Sequence, residues 1–218
     1  MSERNMRFII MCAGSAERWK NHMGTTKQMV PINGEPMLHR TIRLLKERDE
    51  NNIIVTVPSI NFYGKLPVPQ FVGSNEFDID KVINVKNLIA GGKTILLYGD
   101  VIFTEYAIDE IIQSCDGNPP PLFLGRYGMN KYTKKHGELF AIYVNEKTIQ
   151  KAIELKELHK EELTRMGGWE LYRYINNHPL DKHIISEHFI DIHDATDDFD
   201  YPEDYDNFVK NGGLDNLK

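Results

Sequence analysis

A short run of small and charged residues follows the first apolar segment of the chain. The apolar run that begins at Phe8 ends at Ala13 and Gly14, and Arg18 and Lys27 follow it. A small-residue turn after a buried strand exposes backbone N–H groups that bind phosphate oxygens. Arg18 and Lys27 add positive charge that those dipoles cannot supply. The spacing therefore predicts a polyphosphate site, as in a chain that handles nucleoside triphosphates.

Carboxylates that could bind a metal ion lie in two later parts of the chain. Asp100 follows Gly99 at the end of an apolar run, and Asp198 and Asp200 lie two residues apart in an acidic stretch. Side chains two residues apart on an extended chain point to the same side. Mg²⁺ takes hard carboxylate oxygens, with phosphates and water completing its octahedron. We therefore expect Asp100, Asp198 and Asp200 to hold Mg²⁺.

Alternating strands and helices must position these residues. Apolar and β-branched runs predict strands over 7–13, 52–57, 70–72, 94–98, 122–125, 138–144 and 184–192. Apolar stripes predict helices over 36–48, 78–90, 104–114, 146–162 and 169–177, and a last helix from about 202. We predict an α/β, three-layer Rossmann-like fold with a mixed, mainly parallel sheet and helices on both faces. Ligands bind such sheets beyond the carboxyl ends of the strands, where Gly14, Asp100 and the acidic stretch would meet.

Two local expectations accompany this outline. In the helix over 36–48, Arg40, Arg43 and Lys46 are predicted to face water. The polar stretch 126–136 is predicted to be an exposed loop or lid, because it is rich in lysine and tyrosine.

Composition limits the class of protein. The 218 residues, 41% hydrophobic and 27% charged, suffice for one core, so we expect a single domain over 1–218 with room for a small lobe around 126–180. A net charge of −6 argues against nucleic acid as a partner. The two scattered cysteines fit a reducing compartment, and no apolar run resembles a signal peptide or a membrane span. The predicted location is the cytoplasm, and a homodimer is left open.

The order of these motifs resembles that of a known superfamily. Phe8–Leu38 is similar to the signature of nucleotidyltransferases with a GT-A-like fold, which include sugar-nucleotide pyrophosphorylases and cytidylyltransferases. Their Ala-Ala-Gly-x-Gly-x-Arg, Pro-Lys and Pro-x-x-Gly-x-Pro-x-Leu appear here as Cys-Ala-Gly-Ser-Ala-Glu-Arg, Thr-Lys and Pro-Ile-Asn-Gly-Glu-Pro-Met-Leu. Segments 96–101 and 198–205 resemble the metal-binding strand end and the closing acidic segment of the family. Ala16, Thr26 and Tyr201 depart from the pattern, whereas every charged member is kept.

The resemblance implies a reaction and roles for residues. It implies Mg²⁺-dependent transfer of a nucleotide from a nucleoside triphosphate to a phosphorylated small molecule, with release of pyrophosphate. CTP is the first expectation, because the paired carboxylates resemble those of cytidylyltransferases, and the acceptor would be a sugar phosphate or a phospho-alcohol. Arg18 and Lys27 would be catalytic, and Trp169 and Glu170 would line the acceptor pocket. The nucleotide would be bound by Ala13, Gly14, Ser15, Ala16, Arg18, Lys27 and Gly99.

Two other functions remain open from the sequence. A GT-A glycosyltransferase would also use an Asp-x-Asp pair and a metal, but it would transfer the sugar of a nucleotide sugar. The early Arg18 and Lys27, suited to a departing pyrophosphate, argue against this alternative. A non-catalytic nucleotide-binding module is the second alternative, for which Ala16 is the one hint.

Overall fold

The computed structural model describes residues 6–14, 17–73, 79–89, 93–117, 119–159, 161 and 166–218. The strands in this part of the chain are β1 (Met6–Met11), β2 (Pro31–Ile32), β3 (Glu35–Pro36), β4 (Ile53–Val57), β5 (Gln70–Val72), β6 (Lys93–Tyr98), β7 (Val101–Ile102), β8 (Leu122–Arg126), β9 (Glu138–Val144), β10 (Phe189–Asp191) and β11 (Asp197–Asp198). The helices are α1 (Met37–Lys46), α2 (Asp80–Ile83), α3 (Glu105–Ser114), α4 (Glu146–His159), α5 (Gly168–Ile175) and α6 (Pro202–Lys210). The predicted phosphate-loop residues Ser15 and Ala16 lie outside the described residues.

A seven-stranded sheet forms the centre of the fold. Its strand order is β10-β8-β9-β6-β1-β4-β5. Strand β9 runs antiparallel to both of its neighbours, and the other pairs are parallel. The predicted mixed, mainly parallel sheet is therefore confirmed. Two short antiparallel pairs, β2 with β3 and β7 with β11, lie outside it.

Both faces of the sheet are covered by helices, as predicted. Strand β1 alternates its side chains: Phe8 and Ile10 pack in one apolar cluster with residues of α1 and α3, and Ile9 and Met11 in another with residues of α2, α4 and α5. Alternation of this kind is what a strand buried on both faces requires. The result is a three-layer arrangement, and no helix of the described residues is both long and apolar enough to cross a bilayer.

A third apolar cluster joins the segment after β1 to the end of the chain. Trp19, Val30 and Ile32 pack there with Phe199 and Phe208, and all five side chains are buried. Trp19 anchors a 3-10 turn, Glu17–Trp19, that carries Arg18, and Phe199 lies between Asp198 and Asp200. This packing brings residues from the two ends of the chain to the same side of the sheet.

The structure corrects two predicted elements. The strand predicted over 184–192 exists only as β10, because the backbone N–H of Ser186 donates to the Tyr172 hydroxyl at 2.7 Å instead of to a neighbouring strand. The helix predicted over 78–90 is one short α-helix followed by a 3-10 turn, Asn84–Leu88.

Arg40 on α1 does not face water, contrary to the prediction. It is 7% exposed, and its guanidinium donates to the carbonyls of Phe103 and Leu217. Arg43 and Lys46 are exposed, as predicted.

Candidate active site

A cleft of about 930 Å³ opens beyond the carboxyl ends of the central strands. It contains all seven residues that the sequence predicts as catalytic, metal-binding or acceptor-binding. The side chains that line it include Arg18, Lys27, Lys81, Tyr98, Asp100, Tyr127, His136, Glu138, Trp169, Glu170, His183, Asp198 and Asp200. Residues distant in the sequence thus meet at the location that the α/β fold predicts for a ligand.

The end of β6 lies very close to the end of β1. The backbone N–H of Gly99 donates to the Met11 carbonyl at 3.2 Å, and a Cβ on Gly99 would lie 2.7 Å from that oxygen. Real Cβ atoms do not tolerate such a distance, so a glycine is required at this position. Because Gly99 allows the two strands to approach, Asp100 enters the cleft beside the turn that begins at Ala13 and Gly14.

Lys27 lies between two of the predicted metal ligands. Its Nζ is 2.5 Å from Asp100 Oδ2 and 3.6 Å from Asp200 Oδ1, and Arg18 donates to Asp200 Oδ2 at 2.8 Å. Burial disfavours the charged forms, but the Asp100 carboxylate and then Asp200 outweigh it and raise the pKa of Lys27. At Asp100 burial is likewise outweighed by Lys27 and then Lys81, so that the pKa of Asp100 is lowered. These two groups therefore form a charged pair.

The acidic segment reaches the cleft through β11. Its residues pair antiparallel with β7, and the N–H of Phe199 donates to the Asp100 carbonyl at 3.1 Å. Asp204 Oδ2 accepts from the backbone N–H groups of Asp200 and Tyr201, each at 2.8 Å, at the start of α6. Asp200 is therefore fixed by the first turn of a helix, whereas Asp198 extends from a strand.

Asp198 binds a lysine that the sequence did not assign to the site. Lys135 Nζ is 2.7 Å from both carboxylate oxygens of Asp198 and 3.9 Å from Glu138. Burial, and then the negative charge of Glu138, raises the pKa of Asp198 well above its usual value. Burial is also the main cause that raises the pKa of Glu138 to about 7. In this part of the cleft, two carboxyl groups, Asp198 and Glu138, therefore share the single positive charge of Lys135.

The stretch 126–136 is a loop after Arg126, as the sequence predicts, but it is only partly exposed. Arg126 is 1% exposed, and its guanidinium donates to Asp197 Oδ1 at 2.8 Å and to the Thr196 carbonyl at 2.9 Å. Thr133 donates to the other oxygen of Asp197, and Tyr132 is buried beside Phe208. The segment is anchored to β11 by buried polar groups, and only some of its side chains, such as Tyr127 and Lys131, are exposed.

The described residues contain no cluster of three or more His, Cys, Asp or Glu side chains with the arrangement of a metal centre. Asp100 and Asp200 nevertheless converge on one cation, the Lys27 ammonium, while Asp198 is held by Lys135. Two carboxylates that share one cation are a donor set suited to Mg²⁺, which is usually held by one or two carboxylates plus substrate phosphates.

Aromatic side chains line another part of the cleft. The ring of Trp169 stacks on Phe189 with centroids 5.8 Å apart and meets His183 edge-on at 4.7 Å. His183 in turn stacks on Tyr127 at 6.0 Å. Glu170 accepts from the backbone N–H of Gly167 at 2.8 Å and pairs with Arg173 at 3.0 Å, so its carboxylate also caps α5. Both predicted acceptor residues therefore lie in the cleft, and Glu170 has a structural role as well.

Sequence reasoning missed several residues that line the cleft: Lys81, Tyr127, Glu138 and His183. Lys81 lies on α2, and its Nζ would be 3.2 Å from a Cβ on Gly14. None of these residues stands in a local motif, and only the folded chain brings them to the cleft. Ala13 is buried and Gly14 half-buried, at the end of β1.

Known structures share this fold at low sequence identity. UDP-glucose pyrophosphorylase from Acinetobacter baumannii aligns with a TM-score of 0.67 and 12% identity, over 96% of this chain and 94% of its own. CTP:phosphocholine cytidylyltransferase from Streptococcus pneumoniae aligns with a TM-score of 0.59 and 16% identity, over 94% and 98%. Inositol-1-phosphate CTP transferase from T. maritima aligns with a TM-score of 0.59 and 13% identity, over 94% and 96%. No protein-family model and no curated protein matches the sequence. The chain therefore has the fold of nucleotidyltransferases along almost its whole length.

Proposed function

We propose that the protein is a Mg²⁺-dependent nucleotidyltransferase that joins a nucleoside triphosphate to a phosphorylated small molecule and releases pyrophosphate. The observation that carries the proposal is the convergence of Arg18, Lys27, Asp100 and Asp200 in one cleft beyond the strand ends. These are the charged members of motifs that resemble the superfamily, and the fold agrees with that resemblance.

The charges suggest how the reaction would proceed. A phosphate oxygen of the acceptor attacks the α-phosphorus, and the bond from that phosphorus to the β-phosphate bridge breaks. The attacking group is already ionised near neutral pH, so it needs no general base. Lys27 and Arg18 would stabilise the negative charge that develops on the departing pyrophosphate. Backbone N–H groups near Gly14 would position the triphosphate.

Asp100 and Asp200 fit a Mg²⁺ ion better than Asp198 does. Lys27 Nζ contacts both of the first two carboxylates, whereas Asp198 uses both of its oxygens to bind Lys135. When bound, Mg²⁺ would neutralise phosphate charge and orient the α-phosphate toward the acceptor. Lys27 would then transfer its contact from Asp100 to the phosphates. Asp198 remains a candidate ligand if Lys135 can turn away.

The acceptor would bind at the aromatic part of the cleft. Trp169 and Glu170 lie there with Tyr127 and His183, and all but His183 fall within 126–180, the segment predicted to form a small lobe, which we propose binds the acceptor. Trp169 would contact the apolar part of the acceptor. CTP is proposed as the donor, supported by two proteins of similar fold, CTP:phosphocholine cytidylyltransferase and inositol-1-phosphate CTP transferase. A sugar phosphate or a phospho-alcohol is proposed as the acceptor.

The test is pyrophosphate release by the purified protein. It is incubated with Mg²⁺, each of the four common triphosphates, and a panel of sugar phosphates and phosphorylated alcohols, with acceptor-free reactions as blanks. We expect release that depends on one acceptor class and is fastest with CTP. Removing Mg²⁺ with EDTA should abolish it. Hydrolysis of nucleotide sugars without pyrophosphate release would instead support the glycosyltransferase alternative.

A matched pair of variants ties the activity to the cleft. Asp100→Asn keeps the shape of the side chain but removes its charge, so turnover should fall by about 100-fold or more. Asp215→Asn changes an exposed aspartate and serves as the control. Equal turnover in the two variants would overturn the assignment of the site.

A further inference from the structure

Lys81 is a cation of the cleft that belongs to none of the motifs described above. It lies on α2, which follows β5 in the chain, and so approaches the phosphate turn from a different element than Arg18 and Lys27 do. A Cβ on Gly14 would lie 3.2 Å from Lys81 Nζ and 3.3 Å from its Cε. The ammonium therefore lies directly against the glycine at the end of β1.

The position of Lys81 is set by packing on the opposite side of its helix. Ile79 and Val82 are buried in the apolar cluster between the sheet and helices α4 and α5. The N–H of Ile79 donates to the Met166 carbonyl at 2.7 Å, and Lys156 pairs with Asp80 at 2.8 Å. With its neighbours held in this way, Lys81 extends from a fixed backbone into the cleft.

The charge balance of a bound nucleotide requires more than the two predicted cations. A nucleoside triphosphate carries roughly four negative charges and the carboxylates of Asp100 and Asp200 add about two, so that about four remain once a Mg²⁺ ion has offset two. Arg18 and Lys27 then neutralise about half of the triphosphate. Lys135 is not counted here, because its ammonium contacts both carboxylate oxygens of Asp198. A third cation beside Gly14 would offset part of the remaining charge.

We propose that Lys81 binds the phosphate chain of the nucleotide at the Gly14 end of the cleft and is a third phosphate-binding cation beside Arg18 and Lys27. The proposal rests on the proposed function in one respect only, that the cleft binds a triphosphate. It gives α2 a role in substrate binding, because Lys81 on this helix would contact phosphates bound beside Gly14.

The test compares Lys81→Gln, which removes the charge, with Lys81→Arg, which keeps it. Lys86→Gln is the control, since Lys86 is exposed on the turn that follows α2. Binding of CTP and of inorganic pyrophosphate is measured with Mg²⁺ by calorimetry and by thermal shift, without acceptor. We expect Lys81→Gln to weaken both by about tenfold or more, the loss typical of a charge-assisted hydrogen bond. Lys81→Arg should bind within a few-fold of the unsubstituted protein.

The other outcomes would overturn the proposal. Unchanged binding by Lys81→Gln would show that the lysine does not touch the phosphates. Equal weakening in Lys81→Gln and Lys81→Arg, with a lower melting temperature than Lys86→Gln, would assign it a structural role. If the unsubstituted protein binds neither ligand, both this proposal and the proposed function fail. If it binds both but releases no pyrophosphate with any acceptor, only the proposed function fails.

Discussion

Two Arg–Asp ion pairs of the protein differ sharply in their exposure to water. Their aspartates, Asp197 and Asp200, lie three residues apart in the chain. In the Arg126–Asp197 pair the two side chains are 1% and 0% exposed. In the Arg18–Asp200 pair they are 43% and 28% exposed, and the Lys27–Asp100 pair lies between, at 11% and 23%. The first pair is sealed between the segment 126–136 and β11, and the others face the cleft. A buried ion pair fixes the backbone segments that carry its two residues. A solvent-accessible ion pair can exchange one partner for a bound ligand.

Breaking the sealed pair should have the largest effect on stability. Arg126→Met leaves Asp197 buried without its counter-ion and should lower the free energy of unfolding by about 3–5 kcal/mol. Urea denaturation measures it. The double variant Arg126→Met with Asp197→Leu removes both charges and should recover much of the loss. A single variant that loses less than about 1 kcal/mol would contradict the role given to this pair.

Removing Lys27 from its pair with Asp100 in the cleft should lower activity strongly and stability only moderately. Lys27→Ala removes a charge that we propose stabilises the departing pyrophosphate, so turnover should fall by about 100- to 1000-fold. The loss of unfolding free energy should be smaller than in Arg126→Met, because water can reach the cleft and solvate Asp100. Steady-state kinetics and urea denaturation are compared with Lys65→Ala, a change at an exposed lysine. Near-normal turnover in Lys27→Ala would contradict the functional role given to the cleft pair, and with it the contrast to the Arg126–Asp197 pair.

Asp204 should affect both stability and activity, because it contacts the backbone of Asp200 as well as Lys135. It accepts from the N–H groups of Asp200 and Tyr201, and its Oδ2 is 3.6 Å from Lys135 Nζ. Asp204→Ala should cost about 1–2 kcal/mol of stability through the lost hydrogen bonds. It should also lower turnover several-fold, because the backbone of Asp200 is no longer fixed. Lower stability with unchanged turnover would show that Asp200 does not depend on this contact.

A surface network should have the smallest effect. Arg43 pairs with Glu35 and Glu47 at 2.9 Å each, with side chains between 32% and 49% exposed. Arg43→Gln should change the free energy of unfolding by less than about 1 kcal/mol, and added salt should reduce the difference further. Turnover should be unchanged. A larger loss, insensitive to salt, would mean that exposure is a poor guide to the strength of pairs in this protein.

The sequence was sufficient to predict features that depend on residues close together in the chain. The apolar run of β1 and the Gly99–Asp100 strand end are local patterns: β1 forms as predicted, and Asp100 lines the cleft shortly after β6 ends. The alternation of strands and helices also identified the layers, because buried parallel strands have continuous apolar sequences. The roles of the site residues themselves remain predictions that the variants above address.

Tertiary contacts explain what the sequence did not predict. Arg40 has the pattern of a surface residue, but the carbonyls of Phe103 and Leu217 receive its guanidinium. The polar stretch 126–136 is buried in part because Asp197, far along the chain, neutralises Arg126. Lys81 and Glu138 enter the cleft from α2 and β9. Periodicity carries no information about such distant partners.

The pairing of β11 with β7 has a consequence during synthesis of the protein. The strands that form most of the central sheet, and Lys27 and Asp100 with them, leave the ribosome before Asp197 and Asp198 do. Only afterwards can Phe199 bond to the Asp100 carbonyl and bring Asp200 to Lys27. A nascent chain that stops short of β11 would have most of its sheet but would lack Asp198 and Asp200. Prematurely terminated products would therefore lack the second carboxylate that contacts Lys27.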